Sequence, residues 1–320
     1  MKKTGLLLIL SLAIAAQAQQ ATPAPADQST PEGTLLTTTT FPFERLEMPT
    51  STDLYCAGFI SRQLLPDGNY VAGGLESPSQ AKFVNGDVVY LSGSGYQAGQ
   101  QYTVLRELVD PNKYELFAGQ HAMLKAAGQP YYEVARVQII DSRHKTAVGR
   151  ISFSCDPVNP GDILVPFVEK PTVAFHPPAR FDRLAPANGK VSGRILMSKD
   201  FDGELANGTK VYLNVGGNQG IKVGDYFRAV RSYTADLRDP VDSLSFKAST
   251  SEDTQKKQPS IDPKLLTKSN GPTIHVADFP RRAVGELVII GTTPTTSTGM
   301  IVFAMEDVHV GDAVELDEQQ

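Results

Sequence analysis

An internal repeat constrains this chain more than any other feature. Asn85-Gly86-Asp87-Val88-Val89-Tyr90-Leu91 recurs as Asn207-Gly208-Thr209-Lys210-Val211-Tyr212-Leu213, and Gln101-Tyr102-Thr103-Val104-Leu105-Arg106 recurs as Tyr226-Phe227-Arg228-Ala229-Val230-Arg231. The tail is the firmest part, since Val134 to Pro166 aligns without a gap to Val284 to Leu316 at a constant offset of 150. There Ile139-Ile140 meets Ile289-Ile290, and Gly149-Arg150-Ile151 meets Gly299-Met300-Ile301. Val158-Asn159-Pro160-Gly161-Asp162 meets Val308-His309-Val310-Gly311-Asp312. Matches in one unbroken order indicate two copies of one domain.

Within each copy the periodicity is that of strands. Val88 and Tyr90 alternate with Val89 and Leu91, Tyr102 and Val104 alternate with Thr103 and Leu105, and the runs end at Gly, Asn or Asp. The pattern predicts an all-β (mainly β) chain of two tandem homologous small β-barrel or sandwich domains, with about six short strands each. Strands should begin near Gly58-Phe59-Ile60 in the first copy and Gly193-Arg194-Ile195 in the second. They should end at Asp162-Ile163-Leu164 and Asp312-Ala313-Val314. Helical spacing is confined to Asn112 to Lys125, carrying Leu116, Met123 and Leu124, and to Pro263 to Lys268. Gly-Asp pairs recur at Gly86-Asp87, Gly161-Asp162, Gly224-Asp225 and Gly311-Asp312. Glycine supplies positive φ and aspartate bonds its own turn, so these pairs are read as structural turns and not as a metal site.

The N-terminus reads as a secretory signal peptide over residues 1–18. Lys2-Lys3 precedes an apolar run from Gly5 to Ala16, and Ala16-Gln17-Ala18 fits the small-residue cleavage pattern. That run is too short to cross about 30 Å of hydrocarbon, and the first cysteine, Cys56, stands far from the cleavage point, so neither a membrane span nor a lipid anchor is expected. Residues 19–50 form a Pro/Thr/Gln-rich linker, 51–170 the first β domain, 171–189 a Pro-rich connector and 190–317 the second β domain. A polar insertion at about 236–280 interrupts the second copy, read as a mobile loop and a candidate contact surface. Cys56 and Cys155 are the only cysteines, and an oxidising compartment favours pairing them, two buried free thiols being the alternative. Closing a loop of about 100 residues would stabilise the fold by roughly 4–5 kcal/mol in the chain-entropy model.

Several segments of the second copy resemble the C-terminal domain of flagellar assembly protein T. They are Val211-Tyr212-Leu213-Asn214, Gly217 to Gly220, Ile221-Lys222-Val223-Gly224-Asp225, Arg228 to Arg231, Val284-Gly285-Glu286 and Val308 to Asp312. The resemblance spans about 190–317 and extends through the repeat to about 55–168, where Gly99-Gln100 replaces the Gly-Asp of the second copy. It implies a non-catalytic module of the bacterial periplasm or outer membrane, with no active-site residue or cofactor to carry over. The N-terminal part of the flagellar protein has no counterpart here.

Composition fits that expectation without naming a ligand. The chain has 320 residues, 41% hydrophobic, with a net charge of −5, so one or two cores can form and nothing attracts phosphate backbones; nucleic acid is not an expected partner. His121, His144, His176, His275 and His309 stand singly, without a second His or Cys at ligand spacing. No nucleophile elbow, phosphate loop or dinucleotide fingerprint occurs, and Gly93-Ser94-Gly95 reads as a turn. Asp200-Phe201-Asp202-Gly203-Glu204 resembles part of a calcium loop but lacks its third acidic ligand and distal glutamate. Tyr55, Tyr70, Tyr96, Tyr131 and Tyr132 are candidates for stacking on sugar rings, although strand tyrosines more often pack at a core edge, and the chain has no Trp. A LysM reading of Tyr102-Thr103-Val104 fails for want of the residues that should follow. The expectation is therefore an exported structural or interaction protein, not an enzyme, that presents loops and strand edges to an envelope protein. Peptidoglycan is the alternative partner.

Overall fold

A computed structural model describes residues 48–77, 79–112, 114–143, 145–174, 181–232, 260–261, 274–275 and 280–317. The expected signal peptide and most of the expected linker lie outside the described residues. So does the expected helix at 263–268, along with all of the 236–280 insertion but residues 260–261, 274–275 and 280.

The first copy opens with a short helix, α1 (Ser51–Tyr55), and a strand, β1 (Phe59–Ser61). Then come β2 (Tyr70–Gly74), β3 (Val88–Ser92), β4 (Gln101–Glu107), helix α2 (Gln120–Ala127), β5 (Gln129–Asp141), β6 (Ala147–Ser154) and β7 (Ile163–Pro166). The second copy contains β8 (Ser192–Ser198), β9 (Glu204–Leu205), β10 (Lys210–Leu213), β11 (Tyr226–Arg231), β12 (Ser260–Ile261) and β13 (Ile274–His275). It ends with β14 (Arg282–Thr292), β15 (Ser297–Ala304), β16 (Val308–His309) and β17 (Ala313–Leu316).

Each copy folds as a closed six-strand antiparallel barrel. The first runs β5-β4-β7-β2-β3-β6 and closes through β5–β6; the second runs β14-β11-β17-β8-β10-β15 and closes through β14–β15. Taken in chain order the two circuits are the same, so the repeat in sequence is a repeat in topology. Register shifts coincide as well. They fall at Val104/Leu105 and Ala229/Val230, at Arg136/Val137 and Glu286/Leu287, and just after Ile139 and Ile289. A bulge bends and twists a strand, and matching bulges give both sheets the same curvature for closure.

The glycine turns sit where the sequence places them. Gly86, Gly161, Gly224 and Gly311 have φ between 94 and 104°. Each following aspartate accepts a hydrogen bond from the backbone N–H three residues earlier, at Val84, Asn159, Lys222 and His309, over 2.7–2.8 Å. Gly99 and Gly208 complete the set without aspartate: Gly99 N–H donates to Ile139 O as Gly224 N–H donates to Ile289 O, each 2.8 Å.

Three details differ from the sequence reading. The strand at Gly58-Phe59-Ile60 is not the first barrel strand; β2 holds the place that β8 holds in the second copy, and β1 is a seventh strand laid along β5. The helix expected at 112–125 is shorter and later. Gly119, at φ 85°, starts it, and Gly128, at φ 122°, ends it, where an added Cβ would lie 2.2 Å from Ser61 O. The barrels leave no unpaired edge among their own strands, so the expected presentation of strand edges has no footing in them.

Interiors follow the alternation. Val71, Leu91, Val104, Val137 and Ile151 fill the first barrel; Ile195, Val211, Phe227, Leu287 and Ile301 fill the second. The second core also takes in Ile60, Phe117 and Ala127 from the first copy.

Candidate functional site

The densest convergence of polar and apolar side chains lies where the two barrels meet, and residues 50–61 form its centre. Thr50 and Asp53 cap α1 reciprocally: Thr50 Oγ1 accepts from Asp53 N and Asp53 Oδ2 accepts from Thr50 N. Burial alone would raise the Asp53 pKa, but hydrogen bonds from Lys210 and Thr50 outweigh it and hold the carboxyl below its usual range. Lys210 belongs to β10 of the second barrel, so this cap already reaches across the junction.

Toward the first barrel the segment is held by Cys56, disulfide-bonded to Cys155, with Cα atoms 5.7 Å apart. This is the pairing expected from the sequence. Gly58 N–H donates to Glu133 Oε2 at 3.1 Å, and β1 pairs with β5 through Phe59–Tyr131, Ile60–Pro130 and Ser61–Gln129. Glu133 is buried, and Lys170 Nζ answers its charge at 2.6 Å while also donating to Leu54 O at 2.7 Å. The Arg136 guanidinium lies 4.5 Å from the Tyr55 ring centre and 3.8 Å from that of Phe167.

Toward the second barrel the segment presents its carbonyls to three hydroxyls. Tyr212 OH donates to Ala57 O at 2.7 Å, Thr298 Oγ1 to Gly58 O at 2.9 Å and Thr296 Oγ1 to Ile60 O at 2.7 Å. All three donors are buried, so these bonds satisfy carbonyls that water would not reach. Burial also pushes the Tyr212 phenol well above its ordinary pKa, which keeps the proton in place for donation. Gly58 is required here because its φ is 75° and an added Cβ would lie 2.3 Å from Tyr131 O and 2.7 Å from Tyr212 OH. Leu54 and Ala57 pack on the outer face of the second barrel with Val288, Ile290, Met300 and Val302, while Ile60 joins its main core.

The loop and helix between β4 and β5 form a second bridge. Phe117 sits against the Gly311 turn, where a Cβ on Gly311 would be 2.9 Å from its ring, and Arg194 stacks over that ring at 5.1 Å. Buried Gln120 donates to Leu196 O at 2.9 Å and accepts from Leu116 N at 2.7 Å.

Each copy also contains an arginine clamp that builds on a Gly-Asp turn. Arg106 Nε and Nη2 donate to the two oxygens of Asp162 at 2.9 and 2.8 Å, and Nη2 reaches Pro157 O at 2.7 Å. Arg231 repeats this on Asp312 at 2.9 and 2.7 Å and on Asp307 O at 2.8 Å. The sequence reading takes these aspartates only as turn residues; the repeat alignment, which pairs Arg106 with Arg231 and Asp162 with Asp312, is the signal that could have shown the clamp. Asp87 and Asp225 stay in their own separate turns, and the structure does not bring the four aspartates together.

The other candidates disperse. Asp200 to Glu204 form a turn in which Phe201 takes φ 65° and Ser198 Oγ donates to Asp202 O, and among the described residues no three His, Cys, Asp or Glu side chains converge as a metal site. His309 is buried beside the second clamp, His121 is exposed near Glu115, and His144 and His176 lie outside the described residues. Of His275 only the backbone, in β13, is described. Tyr131 and Tyr132 are buried, Tyr96 stacks on Tyr102, and Tyr55 carries Arg136, so of the five tyrosines only Tyr70, at 40% exposure, faces solvent. No helix among the described residues is long and apolar enough to cross a membrane. No protein-family model matches the sequence, and no curated protein matches it.

Proposed function

We propose that the protein is an exported, non-catalytic structural or interaction module of the bacterial envelope, acting through the surfaces of a paired-barrel body. One observation carries this reading: the buried charged groups at the junction and in the clamps, Glu133, Asp162, Arg231 and Asp312, are each bonded within the fold. A catalytic site keeps such groups poised toward a substrate, whereas here they fix geometry. The N-terminal signal pattern, the disulfide and the resemblance to the C-terminal domain of flagellar assembly protein T support an exported setting. Closed barrels shift the expected contact surface from strand edges to loops and barrel faces. A glycan-binding role is the second reading, and it has only Tyr70 of the five candidate tyrosines for stacking.

The test is retention of residues 19–320 from envelope extract and, separately, on purified peptidoglycan sacculi, with a 236–280 deletion in parallel. Retention of the same defined proteins in repeated preparations, lost on deletion, supports the interaction reading and assigns the insertion as its contact. Sedimentation with bare sacculi replaces it with the glycan reading. Hydrolysis of the sacculi would overturn the non-catalytic assignment.

A further inference from the structure

Residues 50–61 belong to the first copy by sequence but are shared by both barrels in space. On one side they are tied by the disulfide, the Glu133 and Lys170 bonds and the β1–β5 pairing. On the other they supply carbonyls to Tyr212, Thr296 and Thr298, a carboxylate to Lys210, and Leu54, Ala57 and Ile60 to the apolar clusters of the second barrel. The covalent tie lies in the middle of the segment, between α1 and β1. It is the element here that a change of redox state can remove without altering sequence.

We propose that the Cys56–Cys155 disulfide is a redox lock on the barrel junction: oxidised, it holds residues 50–61 across both barrels; reduced, it lets the segment leave the second barrel and uncover that barrel's apolar outer face. A dithiol reductant would supply the two electrons. Its thiolate attacks Cys155, the more exposed of the pair, and expels Cys56 as thiolate. The second thiol of the reductant then displaces Cys155 and closes its own disulfide, and protons from solvent restore both cysteine thiols. What remains on the segment is non-covalent: the bonds to Glu133, Lys170, Lys210, Tyr212, Thr296 and Thr298, the apolar packing, and a three-residue strand and a five-residue helix that are too short to persist once that packing opens.

Met300 reports the state of the lock. It is 2% exposed in the outer-face cluster with Leu54 and Ala57, whereas Met197, also 2% exposed, lies in the main core of the second barrel. The full mature chain and its Cys56→Ala, Cys155→Ala double variant are treated with hydrogen peroxide, and sulfoxide formation is followed at both methionines by mass spectrometry. The expected result is oxidation of Met300 at least about tenfold faster in the variant, with Met197 unchanged. Equal Met300 rates in the two proteins would overturn the proposal, and so would a parallel rise at Met197, which would make the bridge a general stabiliser. Hydrogen exchange of the unmutated chain, before and after addition of dithiothreitol, gives a second test independent of the variant's folding. Amides of 58–61 should lose protection while those of β4 and β11 keep it; loss in all three together, or in none, contradicts the lock.

Discussion

Arg106 and Arg231 perform the same task in two settings, and the settings decide how much each contributes. The Arg231 side chain is 7% exposed and its Asp312 partner 3%, so removing the guanidinium strands a buried carboxylate. Arg231→Ala should cost about 3–5 kcal/mol in urea titrations. Arg106 is 24% exposed, and water can replace part of its role, so Arg106→Ala should cost about 1–2 kcal/mol. Glu286 behaves oppositely. Burial first, then the negative charge of Asp317, pushes its carboxyl from 4.5 to about 7, against the pull of Arg228. The folded chain therefore keeps a proton that the unfolded chain releases between about pH 4.5 and 7, and stability falls as pH rises through that window. Glu286→Gln should remove that fall, gaining about 3 kcal/mol at pH 8 relative to the parent and nothing at pH 4, as read from urea midpoints at the two pH values.

At the scale of elements, the copies differ in how a matched position is filled. Phe83 bridges Val158 in the first copy with its ring over Gly74; in the second, Leu205 pairs with Val308 and Ser198 replaces that glycine. Phe117, delivered by the β4–α2 loop, packs into the second core from outside, so Phe117→Ala should destabilise the second barrel by about 3–5 kcal/mol in thermal or urea melts. The repeat, the strands and the glycine turns were legible because alternation, positive φ and the Asp-to-backbone bond are local in sequence. The junction was not. Tyr90 and Tyr212 align as one residue in the repeat, yet Tyr90 is half-buried and Tyr212 is a buried donor to Ala57. Nothing within either copy separates them, because the difference is made by the other copy. Thr296 and Thr298 escape notice for the same reason, Glu133 because its partners Gly58 and Lys170 lie far from it in sequence, and α2 begins later than its spacing predicts because Gly119 acts as a start and not as an interior residue.

At the scale of the whole molecule, two barrels of the same design become one body because the first copy lends Leu54, Ala57, Ile60 and Phe117 to the second. The described residues of both barrels fall within one compact unit. Shared cores make unfolding of one barrel expose the apolar surface of the other, so the two should lose structure together. The most direct test is equilibrium hydrogen exchange of the oxidised chain across a urea series, following β4 and β6 for the first barrel and β11 and β15 for the second. Coincident loss of protection in all four strands at one midpoint is the predicted result. Two separate midpoints, with one barrel persisting after the other has exchanged, would contradict a single body and return the chain to two beads on a connector.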